Sequence, residues 1–160
     1  MRQKERKMKL FIAPHPDDES LWGSYILQRE RPVVAVFRSD SMRANDECVK
    51  ALSIINLIPF FIDSLENIKQ EFETIYAPAP QGGNKKHDAV CMAAINKYGL
   101  RIRLYTSYGV DRNVPPFGRY KIESDAGMLA VKLKMLAEYK SQHLRSAAHF
   151  NLSSKDEYLL

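Results

Sequence analysis

The stretch that decides the fold is residues 10–19, LFIAPHPDDE, where an apolar run leads directly into one imidazole and three carboxylates. The apolar part predicts a buried strand, and the polar part predicts a loop at its carboxyl end. Charged groups beside a buried strand are costly unless an opposite charge compensates them. A divalent metal ion is the simplest compensator, because neutral imidazole and carboxylate oxygen are both zinc ligands. The alternative is a polar loop in which Asp17 or Asp18 caps the next helix.

Length and composition indicate one globular domain. The chain has 160 residues, of which 45% are hydrophobic and 27% are charged, which suffices for a hydrophobic core. No run approaches the roughly 18 apolar residues of a membrane helix. Residues 1–7 are polar and basic, without the apolar region of a secretory signal. We therefore expect a flexible basic leader at 1–7, a single α/β domain at 8–143 and a C-terminal tail at 144–160.

The net charge indicates which classes of partner the protein binds, and the cysteine content indicates the redox state of its compartment. The formal net charge of +5 favours anionic partners such as phosphate-bearing small molecules. No stripe of basic residues interleaved with aromatic residues is present, so the sequence does not favour nucleic-acid binding. Cys48 and Cys91 lie among helix-patterned residues, which predicts buried thiols rather than a disulfide. That usage fits a reducing, cytoplasmic setting.

Predicted strands and helices alternate along the chain. Apolar runs predict strands at 8–13, 33–37, 59–62 and 74–77, with later ones at 102–108 and 119–122, and helical patterns occupy 19–29, 42–55, 87–98 and 125–142. This order predicts a Rossmann-like three-layer α/β/α sandwich with a mostly parallel sheet. Ligands of such folds bind beyond the carboxyl ends of the strands. Because the acidic loop follows the first strand and His87 follows the fourth, we expect the two to meet at one edge of the sheet.

At these motifs the chain resembles the PIG-L/LmbE-type zinc-dependent deacetylases, which cleave the acetyl group from N-acetylglucosamine conjugates. Residues 15–19, HPDDE, match the opening signature of that family, which also follows a strand. Residues 84–90, NKKHDAV, match its second signature, a His-x-x-His run that opens a helix. The closing helix at 132–142 and the helix at 43–51 are weaker likenesses.

The resemblance implies a role for each residue of the first two motifs. His15, Asp18 and His87 would bind zinc, although such a ligand set also accepts another divalent ion such as Fe²⁺. Three protein ligands leave a fourth position for water, as in catalytic zinc sites. Asp17 matches the general base of the family and would take the proton from that water.

Asn84 is the main departure from the family pattern, because it replaces the first histidine of the second signature. Asparagine can donate a hydrogen bond to an oxyanion, but it cannot deliver a proton at neutral pH. Three explanations remain open. Asp17 acts as base and then as acid; another group, His143, His149 or Lys86, supplies the proton; or the protein is slow or inactive as a deacetylase.

The predicted function is therefore that of a zinc-dependent hydrolase that removes the N-acetyl group from an N-acetylglucosamine-type conjugate. The substrate would be a small molecule, with phosphorylated conjugates among the candidates, and Arg43 is a candidate substrate contact at the edge of the site. Two alternatives stay open: an amidase acting on another acylated amine, and a non-catalytic remnant that binds metal or carbohydrate. The sequence specifies neither the sugar, nor its aglycone, nor the oligomeric state.

Overall fold

Continuous apolar runs form the parallel part of the sheet. The computed structural model describes residues 8–80, 84–107, 118–142 and 156–160, and these residues form a sheet of order β3-β2-β1-β4-β5-β7-β6. The first five strands pair in parallel, whereas β7 pairs antiparallel with β5 and β6. This topology confirms the predicted α/β fold with a mostly parallel sheet. The strands are β1 (Lys9–Ala13), β2 (Val33–Phe37), β3 (Pro59–Ile62), β4 (Thr74–Pro78), β5 (Ile102–Tyr105), β6 (Tyr120–Lys121) and β7 (Tyr158–Leu159).

Helices cover both faces of the sheet, as the buried parallel strands require. The helices are α1 (Asp18–Trp22), α2 (Ser24–Glu30), α3 (Met42–Ser53), α4 (Lys85–Tyr98) and α5 (Ala126–Ala137). The first face packs against α1, α2, α3 and α5 through one hydrophobic cluster. The opposite face packs against α4 and a 3-10 turn at Leu65–Asn67 through a second cluster.

The single helix expected at 19–29 is in fact two helices that meet at Gly23. A Cβ atom at Gly23 would lie 2.2 Å from Cζ of Phe11. Phe11 in turn stacks on Tyr105, with 4.7 Å between the ring centroids. Gly23 is therefore required for the close approach of this chain segment to the sheet.

Two other elements end earlier than their sequence pattern predicts. The strand expected at 102–108 ends at Tyr105, which leaves the buried Thr106 and Ser107 beyond the sheet. The helix expected at 125–142 ends at Ala137, and a separate 3-10 turn follows at Lys140–Gln142. The backbone N–H of Ser141 donates to Glu47 of α3 at 2.9 Å, so a contact between distant elements fixes this turn.

The last residues contribute a strand that the sequence pattern does not predict. Within the segment 144–160, expected as a tail, residues 158–159 pair with the sheet as β7. Glu157 is buried beside them, and its Oε1 accepts a hydrogen bond from Lys132 Nζ at 2.8 Å. A two-residue strand is too short to give a periodic signal, and its position depends on this ion pair with a distant helix. The leader at 1–7 lies outside the described residues.

Cys48 and Cys91 are both buried free thiols, which confirms the prediction made from their helical surroundings. Cys48 faces the first hydrophobic cluster, and burial raises the pKa of both thiols. Among the helices that the structure describes, none has the length and hydropathy needed to cross a membrane.

Candidate metal centre

The candidate site lies where the strand order reverses. β1 has β2 on one side and β4 on the other, so the loops that leave β1 and β4 run to opposite faces of the sheet and open a crevice between them. The loop after β1 carries His15 and Asp17, Asp18 is the first residue of α1, and the helix after β4 carries His87. The fold thus brings together the two motifs that the sequence separates by about seventy residues.

Asp18 is the centre of this cluster. Its Oδ2 lies 3.1 Å from His15 Nδ1 and 3.0 Å from His87 Nε2, and it also accepts the backbone N–H of His15 at 2.9 Å. Candidate ligand atoms of the three residues all lie within 4.8 Å of one another. Asp18 and His87 are buried, whereas the side chain of His15 is 37% exposed. The cluster therefore has one side open to solvent.

The two imidazoles determine the charge state of Asp18. Burial by itself raises the pKa of Asp18, but the charge of His87 and hydrogen bonds from both histidines outweigh burial, so this pKa lies well below its usual range. For His87, burial lowers the pKa, but the charge of Asp18 and its hydrogen bond outweigh burial and raise it. In the metal-free protein the carboxylate and the imidazole thus stabilise each other's charged forms.

Ser107 is a member of the site that the sequence analysis missed. Its hydroxyl lies 3.3 Å from Nδ1 of the fully buried His87. A partner at Nδ1 orients the ring and leaves Nε2 directed at Asp18, as the outer partners of metal-binding histidines do. The sequence analysis placed Ser107 inside a strand predicted at 102–108. A strand that ends at Tyr105 leaves this polar residue at the carboxyl edge of the sheet, where it can contact the site.

The donor set fits a divalent cation. Two ligand atoms of a tetrahedral zinc ion stand about 3.3 Å apart, given bonds of about 2.0–2.1 Å. The N···O separations of 3.1 and 3.0 Å around Asp18 Oδ2 are close to that spacing. Two imidazoles and one carboxylate are also an accepted ligand combination for zinc. The buried group of His15, Asp18 and His87 could therefore hold a metal ion.

Asp17 occupies an unusual backbone conformation next to this group. It is the N-cap residue of α1 with φ 121° and ψ −31°, and its side chain makes no capping hydrogen bond. Burial, followed by the charges of Asp18 and Glu19, raises the pKa of Asp17 well above its usual range. A raised proton affinity of this kind is typical of carboxylates that accept and return protons in catalysis.

Asn84 is the N-cap residue of α4. Its Oδ1 accepts hydrogen bonds from the backbone N–H groups of Lys86 at 3.2 Å and His87 at 3.4 Å. This accounts for asparagine at the position, because it is among the preferred N-cap residues. The cap also fixes the first turn of α4, which carries His87. The catalytic role expected of Asn84 stays a prediction.

Lys86 and Arg43 are the two cationic side chains to which the sequence analysis gave a possible role at the site. Lys86 is half-buried, its Nζ lies 5.8 Å from the ring centroid of Phe37, and burial lowers its pKa while the charge of Asp18 opposes that shift. Arg43 is mostly exposed and its Nε donates to Glu47 at 3.1 Å. Its predicted contact with substrate stays a prediction, and His143 and His149 lie outside the described residues.

The fold and this cluster define the molecule as a three-layer α/β protein with a buried group that could hold a metal ion. No family model matches the chain, and no curated protein matches its sequence. Comparison with known proteins therefore depends on solved structures.

Two solved structures share the fold. One is GalB, the 4-carboxy-2-hydroxymuconate hydratase of Pseudomonas putida KT2440, with a TM-score of 0.63 and 11% identity over 91% of this chain and 83% of that chain. The other is the conserved protein TT1542 of Thermus thermophilus, with a TM-score of 0.58 and 16% identity over 96% of this chain and 94% of that chain. At identities of 11% and 16%, these likenesses show the α/β fold of this chain.

Proposed function

We propose that this protein is a metal-dependent hydrolase that removes the N-acyl group from an amino-sugar conjugate. The observation that carries the proposal is the convergence of His15 and His87 on one oxygen of Asp18, directly beside a second aspartate, Asp17, in a strained backbone conformation. One carboxylate is thereby committed to the imidazoles, and the other is available for proton transfer.

A divalent cation held by His15, Asp18 and His87 would lower the pKa of a water molecule and polarise an amide carbonyl. Zinc suits this ligand set, and Fe²⁺ is the alternative. The partial exposure of His15 leaves the side from which substrate and water can approach.

Asp17 accounts for the movement of protons. As general base it accepts a proton from the attacking water, and the oxygen of that water forms a bond to the acyl carbon. When the C–N bond breaks, Asp17 returns the proton to the leaving nitrogen, so the products are a carboxylic acid and a free amine. This single-residue shuttle is the explanation we favour for the missing histidine, because the amide of Asn84 cannot deliver a proton and its Oδ1 caps α4.

A groove beside Lys86, the residue before His87, is where we assign the part of the substrate that is distant from the scissile bond. It has a volume of about 410 Å³ and lies between the end of β2, the 3-10 turn and the first half of α4, with Phe37, Ser64, Leu65 and Lys86 in its walls. Arg38 and Glu66 beside it are paired with Asp63 and Lys97 respectively. Lys86 is therefore the group we assign to an anionic part of the substrate, such as a phosphate.

The test is the variant Asp17→Asn, compared with the parent on a panel of acylated amines that includes N-acetylglucosamine and its 1-phosphate. We expect about one equivalent of bound zinc in both proteins and a fall in kcat of about 10²- to 10⁴-fold in the variant. Asp46→Asn, a change at an exposed position of α3, is the matched control and should match the parent. Equal turnover by Asp17→Asn would refute the assignment of the base.

The panel also separates the proposal from its alternatives. Turnover of acylated thiol conjugates or nucleosides, but not of sugars, would indicate an amidase of different substrate class. Zinc uptake without turnover of any panel member would indicate a non-catalytic remnant of the fold.

Water addition to a carbon–carbon double bond is a second candidate, because one of the solved structures with this fold is a hydratase. The same base would take the proton from water and return it to carbon. A search for hydration of unsaturated carboxylic acids, followed by the loss of their ultraviolet absorbance, discriminates between the two reactions.

A further inference from the structure

The carboxylate of Glu19 and the hydroxyl of Tyr139 form a buried hydrogen-bond network directly behind Asp17. Glu19 is fully buried, and its Oε2 accepts the backbone N–H of Asp17 at 3.0 Å. Its Oε1 accepts Oγ–H of Ser20 at 2.7 Å and the hydroxyl of Tyr139. A buried carboxylate is tolerated only when its oxygens are satisfied in this way, so the position of Glu19 is tightly determined.

The contact between Glu19 and Asp17 resembles half of a capping box, but it is made from a different position. In a capping box the third helical residue accepts the N–H of the N-cap residue, and the N-cap side chain caps the helix in return. Here Glu19, the second residue of α1, accepts the N–H of Asp17, and Asp17, with φ 121°, makes no capping bond. The helix therefore does not use the Asp17 carboxylate, and Glu19 holds the Asp17 peptide in a conformation that leaves this carboxylate available.

Tyr139 connects the network to the far end of the chain. It is 3% exposed and lies between the end of α5 and the 3-10 turn at Lys140–Gln142. Two residues later, both the backbone N–H and the hydroxyl of Ser141 donate to Glu47 of α3. The segment that carries Tyr139 is thus anchored on both sides, and the tyrosine hydroxyl reaches Glu19 from a fixed position.

From this arrangement we infer that Glu19 and Tyr139 are positioning residues for Asp17. Glu19 holds the Asp17 backbone, and Tyr139 holds Glu19, so that the Asp17 carboxylate faces the reacting atoms. The expected loss of catalysis rests on the proposed function. The loosening of the Asp17 backbone that we expect in the variants does not, because it can be measured without any substrate. Neither residue is among the three candidate metal ligands.

The experiment uses the full chain and two variants, Tyr139→Phe and Glu19→Gln. Tyr139→Phe removes one hydroxyl and keeps the Glu19 carboxylate. Glu19→Gln keeps the size of the side chain, but an amide has one acceptor oxygen where the carboxylate has two. Tyr98→Phe is the matched control, since Tyr98 is a buried tyrosine at the far end of α4. Three quantities are measured: zinc bound per chain, kcat and KM per zinc site, and hydrogen exchange of single backbone amides.

We expect the Asp17 amide to exchange at least about tenfold faster in both variants, while amides within α2 keep the parental rate. We expect zinc stoichiometry to be unchanged and kcat to fall by about 10- to 100-fold at constant KM. A general loss of stability would instead accelerate the exchange of amides throughout the chain. In that case kcat, expressed per zinc-occupied site, would equal the parental value. Tyr98→Phe should equal the parent in all three measurements.

The outcomes separate this inference from the function on which it rests. Parental exchange of the Asp17 amide in both variants overturns the inference, and so does an unchanged kcat in variants that keep their zinc. If the parent hydrolyses no acylated amine, the proposed function fails, and the exchange rate of the Asp17 amide alone decides whether Glu19 and Tyr139 hold that residue.

Discussion

The protein buries carboxylates in two places and compensates them differently. Glu157 meets Lys132 at 2.8 Å, and both side chains are fully buried. Asp18 meets two imidazoles at 3.0 and 3.1 Å, one of which is partly exposed. The pair of Glu157 and Lys132 has no net charge and no exposed side chain, and we call it the closed pair. We call Asp18 and its two histidines the open cluster, because His15 is partly exposed. Asp18 lies in sequence between two further carboxylates, Asp17 and Glu19. Among the described residues no lysine or arginine forms an ion pair with any of these three carboxylates.

This difference separates a fully compensated ion pair from a cluster that could hold a metal ion. The closed pair needs nothing from solvent, because each charge neutralises the other and the backbone N–H of Tyr25 satisfies Glu157 Oε2. The open cluster has more negative charge than its own residues neutralise once the imidazoles lose their protons. Its three candidate ligands could hold a cation from outside, which would balance this charge. Four measurements test this contrast.

Breaking the closed pair should give the largest effect. Glu157→Ala leaves Lys132 as a buried charge, for which the ring of Tyr25, 4.9 Å away, is the remaining partner within the described part of the chain. We expect the free energy of unfolding to fall by about 3–5 kcal/mol, measured by urea denaturation. The double variant Lys132→Met, Glu157→Gln should recover most of that loss, because no charge remains buried. Equal stability of the single and double variants would show that the pair is not closed as described.

Adding a cation should stabilise only the open cluster. Zinc at a hundred times its dissociation constant should raise the free energy of unfolding of the parent by about 2.7 kcal/mol, seen as a higher Tm. Asp18→Asn should take up no zinc at the site and show no such gain, while the Lys132→Met, Glu157→Gln protein should keep it. A gain of similar size in Asp18→Asn would place the metal elsewhere.

The pH dependence of stability should have opposite signs with and without zinc. In the metal-free protein the pKa of His87 is raised above its reference value of 6.5, so its contribution is present below that pH and is lost as the pH rises through the folded-state pKa. The slope is limited to about 1.4 kcal/mol per pH unit for one proton. Zinc requires a neutral imidazole, so the gain from zinc should grow over the same range.

Urea denaturation between about pH 6 and pH 8, with and without zinc, measures both slopes. His87→Gln serves as the control, since it should remove the part of the decline that His87 contributes together with the gain from zinc, while any part due to the raised pKa of Asp17 should remain. A metal-free protein whose stability rises through this range would contradict the assigned pairing of His87 with Asp18.

Relieving the backbone at Asp17 should give the smallest effect. A non-glycine residue in such a conformation costs about 1–3 kcal/mol of folding free energy. Glycine relieves this strain, but it also increases the entropy of the unfolded chain, which cancels part of the gain. We expect Asp17→Gly to raise the free energy of unfolding of the metal-free protein by about 1 kcal/mol while activity is lost. Asp17→Asn removes the charge but keeps a side chain, so a similar gain in that variant would attribute the effect to charge rather than to the backbone.

The parts of the fold that could be predicted are those that local sequence specifies. The strands at 33–37 and 59–62 coincide with their apolar runs, because such runs are buried on both faces wherever a parallel sheet forms. Gly23 shows the limit of this reasoning. Its helical context predicts one continuous helix, and only the ring of Phe11 beneath it explains the break.

The part of the candidate site that lies in recognisable motifs could also be predicted from the sequence. His15 and Asp18 lie in one short motif, and His87 opens a helix after a later strand, so sheet topology alone places them at a common edge. Ser107 and Tyr139 have no such signal, because a lone serine or tyrosine is compatible with many positions. Their contacts with His87 and Glu19 depend on where β5 and α5 end.

The sequence by itself determined the alternation of strands and helices and the residues able to bind a metal, because periodicity and side-chain chemistry are local properties. The tertiary structure decided the partners around them, such as Ser107 beside His87 and Tyr139 beside Glu19. It also decided that a lysine of α5 neutralises Glu157 beside the last strand. Those outcomes depend on distances between residues far apart in the chain, and packing alone sets such distances.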